Sequence, residues 1–466
     1  MTRMAIAILT LALLALPAHA EAQPARSTDE IAALINSAEP GSVVSPPAGT
    51  YHGSLRVAKA IVLDGRGQVT IDAGGDGSVL EVTTAGATVR GITARGSGIR
   101  VETEPAGIRV LAPDVTIEDC VVEDVLFGID LKGARDCTVQ RNTISGKDLE
   151  PGRRGDGIRL WWSHSCVIQD NHVSAARDMV FWYSEDLTIR RNHVTNSRYG
   201  LHFMYSHNTV LTENVLEGNS VGIYLMYSNN ITISANTLIN NRGSSGYGIG
   251  LKDCDDIVVE GNALLANRVG AYIDNSPSSV DSTGLFAGNL VAFNEVGMLL
   301  TPITHDNVFT ENGFVENEEQ VAVHGRGDLT LNTFVKDGRG NFWSDYAGFD
   351  QDKDGVGDLE YRAASLFETL LAREPNLRLL VHSPAQQAIE FTARALPEMR
   401  PDPKFVDPSP LMSPPSVQVA GLKKASPLAM GASAAALLLG AMGAITLLAR
   451  PGRGARLSTS SQGSRA

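Results

Sequence analysis

Met204 and Met226 stand 22 residues apart, and His202 lies two positions before the first of them. Two thioethers with an imidazole form a soft ligand set that selects Cu(I) over hard cations. A second group lies further along, in GNFWSDYAGFDQDKDGVGDLEYR. Asp350, Asp352 and Asp354 alternate ahead of Gly355, and Asp358 follows. Clustered carboxylates before a glycine turn suit a hard cation such as Ca2+. The loop departs from an EF-hand because its twelfth position is Tyr361 rather than a bidentate Glu. The expectations are a transient Cu(I) site at His202, Met204 and Met226 and a structural Ca2+ at Asp350, Asp352, Asp354 and Asp358.

Both groups need elements to position them, and a repeat supplies these. Gly128 precedes Asn142 by 14 residues, and the same interval joins Gly157 to Asn171, Asp178 to Asn192, Gly200 to Asn214, Gly222 to Asn236 and Gly248 to Asn262. Six matches at one offset mark a solenoid. Residues one and three after the Gly position are apolar, as in Ile158 and Leu160 or Ile223 and Leu225. Alternation of period two in short runs means strands with one buried face. The expected architecture is all-β: a right-handed parallel β-helix of about 22-residue coils over residues 41–358. Each Asn is expected in a left-handed turn, bonding along the stack. Longer repeats insert their extra residues at one edge, in 145–156 and 241–247; Arg153 and Arg154 sit on the larger insertion.

This register sorts the outward residues into columns. Offset two from the Gly position reads Asp130, Arg159, Val180, His202, Tyr224, Gly250, and offset four reads Lys132, Trp161, Trp182, Met204, Met226, Lys252. Trp162, Tyr183, Tyr205 and Tyr227 follow at offset five. Polysaccharide-active β-helices need paired carboxylates on such a face. Asp130 instead faces Arg159, so a glycosidase or lyase is disfavoured. The outward aromatic and thioether stripe marks a binding surface. Trp161, Trp182, Tyr205, Tyr224 and Tyr227 are its candidate partner-binding residues. Protein contact, soft-metal binding and sugar stacking all remain open for it, and a polysaccharide-binding or polysaccharide-modifying protein is the alternative function.

Outside the solenoid the chain divides further. Residues 1–20 have the form of a secretory signal ending in Ala18-His19-Ala20. Residues 21–40 are expected as a helical N-terminal cap and 359–396 as a helical segment. Residues 397–427 are expected as a Pro-rich tether, 428–449 as a transmembrane helix, and 450–466 as an Arg-bearing cytoplasmic tail. The expected location is the periplasm, anchored to the inner membrane. A formal net charge of −13 disfavours nucleic acid as a partner. Cys137 and Cys166 fall at one inward position of neighbouring coils, where buried inert thiols are favoured over a disulfide.

The exported repeat, the GNFWSDY…DQDKDGVGD segment and the following SPAQQAIEFTARALP together resemble the NosD family, periplasmic accessory proteins of nitrous oxide reductase maturation. The resemblance implies a non-enzymatic protein working with an ABC transporter ATPase and permease, a lipoprotein copper chaperone and nitrous oxide reductase itself. It supplies no ligand residues, so the copper assignment rests on the register alone.

Overall fold

The computed structural model describes residues 26–421 apart from 382 and 400. The expected signal (1–20), transmembrane helix (428–449) and tail (450–466) lie outside the described residues. Among the described residues no helix is long and apolar enough to cross a membrane.

Parallel strands stack coil upon coil from Val43–Val44 to Phe342–Trp343. One face is a twelve-stranded parallel sheet, running from Leu55–Val57 to Glu319–Val323. The other two faces join into one larger parallel sheet. The register agrees with the repeat: Ile129, Ile158 and Met179 are successive partners, as are Leu201, Ile223 and Ile249. These inward side chains form one continuous buried core. No coil covers its own apolar face, so stacking is what makes burial possible.

The recurring asparagines do not take the left-handed conformation. The residue before each does, as at Arg141 (φ 54°), Asp170 (φ 56°), Arg191 (φ 51°) and Glu213 (φ 57°). This frees each Asn side chain to turn inward, where burial demands hydrogen bonds. The amide of Asn171 donates to Oδ1 of Asn192 at 3.0 Å, Asn192 to Asn214 at 3.0 Å and Asn214 to Asn236 at 2.9 Å. The ladder ends at Asp407, whose Oδ2 accepts from the Asn341 backbone N–H at 2.7 Å and from the Trp343 indole at 2.9 Å.

Both ends are covered. Helix α1 (Thr28–Ser37) is capped by Ser27, whose side chain accepts from the Asp29 N–H, and it buries Ile31 and Ile35 against the first coil. Helices α2 (Leu366–Arg373) and α3 (Pro384–Ala395) follow the last coil. Part of the stretch expected as a tether is instead seated on the solenoid. Phe405 stacks on Phe334 at 3.8 Å, Leu411 is buried, Val417 and Val419 pack beside Ala263, Leu265 and Ala292, and the Ala420 N–H donates to Thr237 at 3.0 Å. All four cysteines are buried and none is in a disulfide.

Candidate functional site

The outward face of the twelve-stranded sheet carries the candidate residues, and one break in the repeat organises it. Glycine occupies the repeat's first position because a side chain has no room there. A Cβ on Gly200 would lie 2.5 Å from the Gly222 carbonyl oxygen, and one on Gly222 would lie 2.6 Å from that of Gly248. Asp178 is the exception among the six matched repeats. The strand pairing shifts there, so that Asp178 faces Tyr199 rather than Gly200. The irregularity admits a carboxylate that is 0% exposed.

Asp178 is held by a guanidinium and an imidazole. Its Oδ1 accepts from Arg198 Nε at 3.0 Å, and its Oδ2 lies 3.3 Å from His202 Nδ1. Burial pushes its pKa up, but the bonds from His202 and Arg198 outweigh this and hold it below the usual carboxylate value. An ionised carboxylate only accepts, so the Nδ1 of His202 is the donor, and in the neutral imidazole the lone pair is on Nε2.

His202 belongs to an outward column, yet it is not open to solvent. It is 6% exposed, because Trp182 and Tyr199 meet its ring edge to face at 5.4 and 4.8 Å. Among the described residues, its Nε2 and the Trp182 Nε1 are buried without a hydrogen-bond partner. Buried polar atoms are ordinarily satisfied, so two orphans in contacting rings are a functional signal. They border a cleft of about 600 Å³ also lined by Tyr224, Met226, Tyr247 and Tyr272. Gly250 makes room for it: a Cβ there would lie 2.4 Å from the Tyr224 ring. Burial raises the pKa of the Tyr224 phenol, which stays a neutral donor.

Met204 and Met226 pair in register on adjacent strands, and both are half-buried. Met226 lines the cleft with His202 and Trp182, while Met204 stands outside it. The structure thus brings together His202, Trp182, Met226 and Tyr224, and leaves Met204 next to Met226 as a neighbour. A nitrogen lone pair beside a thioether under two aromatic rings is chemically suited to a soft cation. The carboxylate behind the imidazole matches the usual support of a metal-binding histidine.

Below the cleft the column is ionic. Asp130 is boxed by Arg159, with bonds of 2.9 and 3.1 Å, and by Arg109 at 3.2 Å. Glu104, from the loop just before strand Ala106–Val110, bonds Arg159 at 3.0 Å and also pairs with Lys132. These carboxylates are neutralised and not poised as an acid–base pair.

The aromatic residues at offset five form their own ladder. Trp162 stacks on Tyr183 at 4.9 Å and 8°, Tyr183 on Tyr205 at 5.3 Å and 11°, and Tyr205 on Tyr227 at 5.0 Å and 14°. All four have left-handed backbone, with φ of 52° at Trp162 and Tyr227 and 51° at Tyr183 and Tyr205. Since the rings cover each other's faces, the ladder presents mainly edges to solvent. Sugars stack on faces, so this strip fits a protein contact better. Trp161 tilts against Trp182 at 5.5 Å and is 36% exposed.

At the acidic loop, Asp350, Asp352 and Asp354 offer oxygens all within 4.8 Å of one another. Asp358 is not in this group; its carboxylate accepts from the Gln351 N–H at 2.7 Å. Asp350 accepts from the N–H groups of Lys353 (2.6 Å), Asp354 (3.3 Å) and Gly355 (2.9 Å). The loop is exposed and largely satisfied by its own backbone.

The sequence reading missed Asp178, Arg198, Tyr199, Tyr247 and Tyr272. Asp178 had a legible signal, being the one carboxylate at a repeat position otherwise held by glycine. The tyrosines at 199 and 247 precede the repeat and belong to no column read from it.

A family model described as "Periplasmic copper-binding protein (NosD)" matches residues 147–348. A Pseudomonas aeruginosa protein named "Probable ABC transporter binding protein NosD" is 32% identical over 385 residues, covering 80% of this chain and 88% of the relative. Its Stutzerimonas stutzeri namesake is 30% identical over 387 residues, covering 79% and 86%. Among solved structures, the A-module of the Azotobacter vinelandii mannuronan C-5 epimerase AlgE6 aligns with a TM-score of 0.46 at 15% identity, covering 66% of this chain and 92% of that one. The Dettilon tailspike protein aligns with a TM-score of 0.45 at 15% identity, covering 62% and 67%.

Proposed function

The chain belongs to the NosD family, and from that premise we propose that it is a non-catalytic periplasmic factor that accepts Cu(I) and passes it toward nitrous oxide reductase. Copper here is cargo, not a resident cofactor. The observation that carries this reading is His202: Asp178 fixes its tautomer, and its buried Nε2 lone pair meets no donor among the described residues in a cleft shared with Met226. Met226 supplies the soft sulfur, and Met204 in the adjacent strand can supply a second. Trp182 and Tyr224 screen the position from water. A site with few ligands and an open side suits transfer rather than storage. The aromatic ladder beside it offers an edge-lined strip for a chaperone or for the ABC transporter's outer surface.

The test is anaerobic Cu(I) titration against a competing chelator, with wild type beside Met204→Leu/Met226→Leu and His202→Ala. Leucine keeps the apolar volume and removes the sulfur. The expected result is stoichiometric binding by wild type and its loss in both variants. Equal binding by all three, or by none, sinks the copper reading and leaves the face as a protein interface.

A further inference from the structure

The two insertion loops that grow from one edge of the stack enclose a second groove. It has a volume of about 500 Å³ and is lined by Pro151, Arg154, Asn196, Arg198, Arg242 and Ser244, among others. In a chain of net charge −13 its lining includes three arginines and, among the described residues, no carboxylate. Arg198 is spent on Asp178, and Arg242 pairs with Glu295. Arg154 is different. Its Nε donates to the Leu149 carbonyl at 2.9 Å and its Nη1 to the Asn196 carbonyl at 3.2 Å. Among the described residues it meets no carboxylate, so its charge is aimed by the backbone but not neutralised. A guanidinium fixed in this way is preorganised for a carboxylate.

The floor is made by turn residues of three successive coils, Asn196, Gly218 and Asn240. Coils are about 4.8 Å apart, so the floor spans about 10 Å, the length of some three extended residues. At Arg198 the groove meets the copper cleft, which that residue also lines, and Ser244 of the groove is followed by Ser245 of the cleft. A ligand whose carboxylate rests on Arg154 therefore reaches His202 and Met226 within a few residues of chain.

We infer that this groove binds an extended acidic segment of a partner polypeptide, with a carboxylate on Arg154 and the following residues directed into the copper cleft. The choice of a copper-handling partner rests on the function proposed above; the anionic specificity rests on the groove alone.

The experiment uses the full chain in detergent and a fluorescein-labelled peptide, Glu-Asp-Glu-Gly-Met-Gly, followed by anisotropy without copper. The control peptide replaces the three acids by Gln, Asn and Gln. Saturable binding is expected, weakened about tenfold or more by Arg154→Gln and by the control peptide. Arg135→Gln, at an exposed arginine elsewhere, should bind as wild type, and matched melting curves verify folding. Equal binding by Arg154→Gln, or equal binding of the two peptides, overturns the inference. Displacement by inorganic phosphate at the peptide's own affinity also overturns it, since the groove would then be a plain anion site. Arg154-dependent binding in a protein that fails the Cu(I) titration would retain the groove and reject the copper reading. The reverse pair of results would retain copper and reject the groove.

Discussion

The His202 cleft and the 350–358 loop both hold clustered ligand atoms, yet they are built in opposite ways. In the loop, neighbouring residues supply the carboxylates, and the same stretch supplies N–H groups that satisfy them. At the cleft, His202 and Met226 and the Asp178 carboxylate behind the imidazole come from three coils, and a buried nitrogen is left without a partner among the described residues. Local clustering produces an exposed turn that is stable alone. Register across coils produces a buried nitrogen without a partner among the described residues at the edge of a cleft, and that difference gives the cleft the stronger claim to a ligand.

The sharpest way to break this contrast is Asp178→Asn. The amide can no longer balance Arg198 or enforce the imidazole tautomer, so Cu(I) affinity should fall about 10–100-fold, the usual effect of losing support behind a metal-binding histidine. An unchanged affinity in a chelator competition would show that Asp178 serves only to seat Arg198.

A second contrast concerns protons. Asp156, at the root of the larger insertion, is buried, and desolvation pushes its pKa up to about 6 although Arg177 opposes this at 3.0 Å. The folded state then holds this proton more tightly than the unfolded chain does. Stability present below about pH 4 is lost as pH rises through about 6, and the loss comes to about 2–3 kcal/mol in all. Asp156→Asn should remove that slope from urea denaturation curves measured between pH 4 and 7. Parallel profiles for the two proteins would show that Arg177 keeps Asp156 ionised throughout.

The smallest effect belongs to the acidic loop. If Asp350, Asp352 and Asp354 share Ca2+, then Ca2+ at ten times its Kd adds about 1.4 kcal/mol and raises Tm by about 2 °C. Asp352→Ala/Asp354→Ala should abolish that response. Identical melting with calcium and with chelator would leave the loop as a self-satisfied turn.

Much of this was legible in the residues. The 14-residue Gly-to-Asn interval and the apolar pairs one and three positions after each Gly specify coil length, strand register and the inward set. Strand side chains alternate with period two, so any fixed point in the repeat assigns every other position to core or surface. The columns holding His202, Met204 and Met226 follow from that alone, as does the meeting of Asp130 with Arg159.

Only the tertiary structure decided what covers the outward columns. Alternation sends His202 outward, yet rings from neighbouring positions and coils bury it. The repeat marks Asp178 as an odd glycine replacement, but only the shifted pairing turns its carboxylate beneath the imidazole. Insertions at 145–156 and 241–247 share an edge by register, while the groove between them and the bare charge of Arg154 arise from how each loop folds back. The seating of residues 405–420 on the solenoid was hidden for the same reason. Contacts between segments far apart in sequence have no period, and a repeat reports only what recurs.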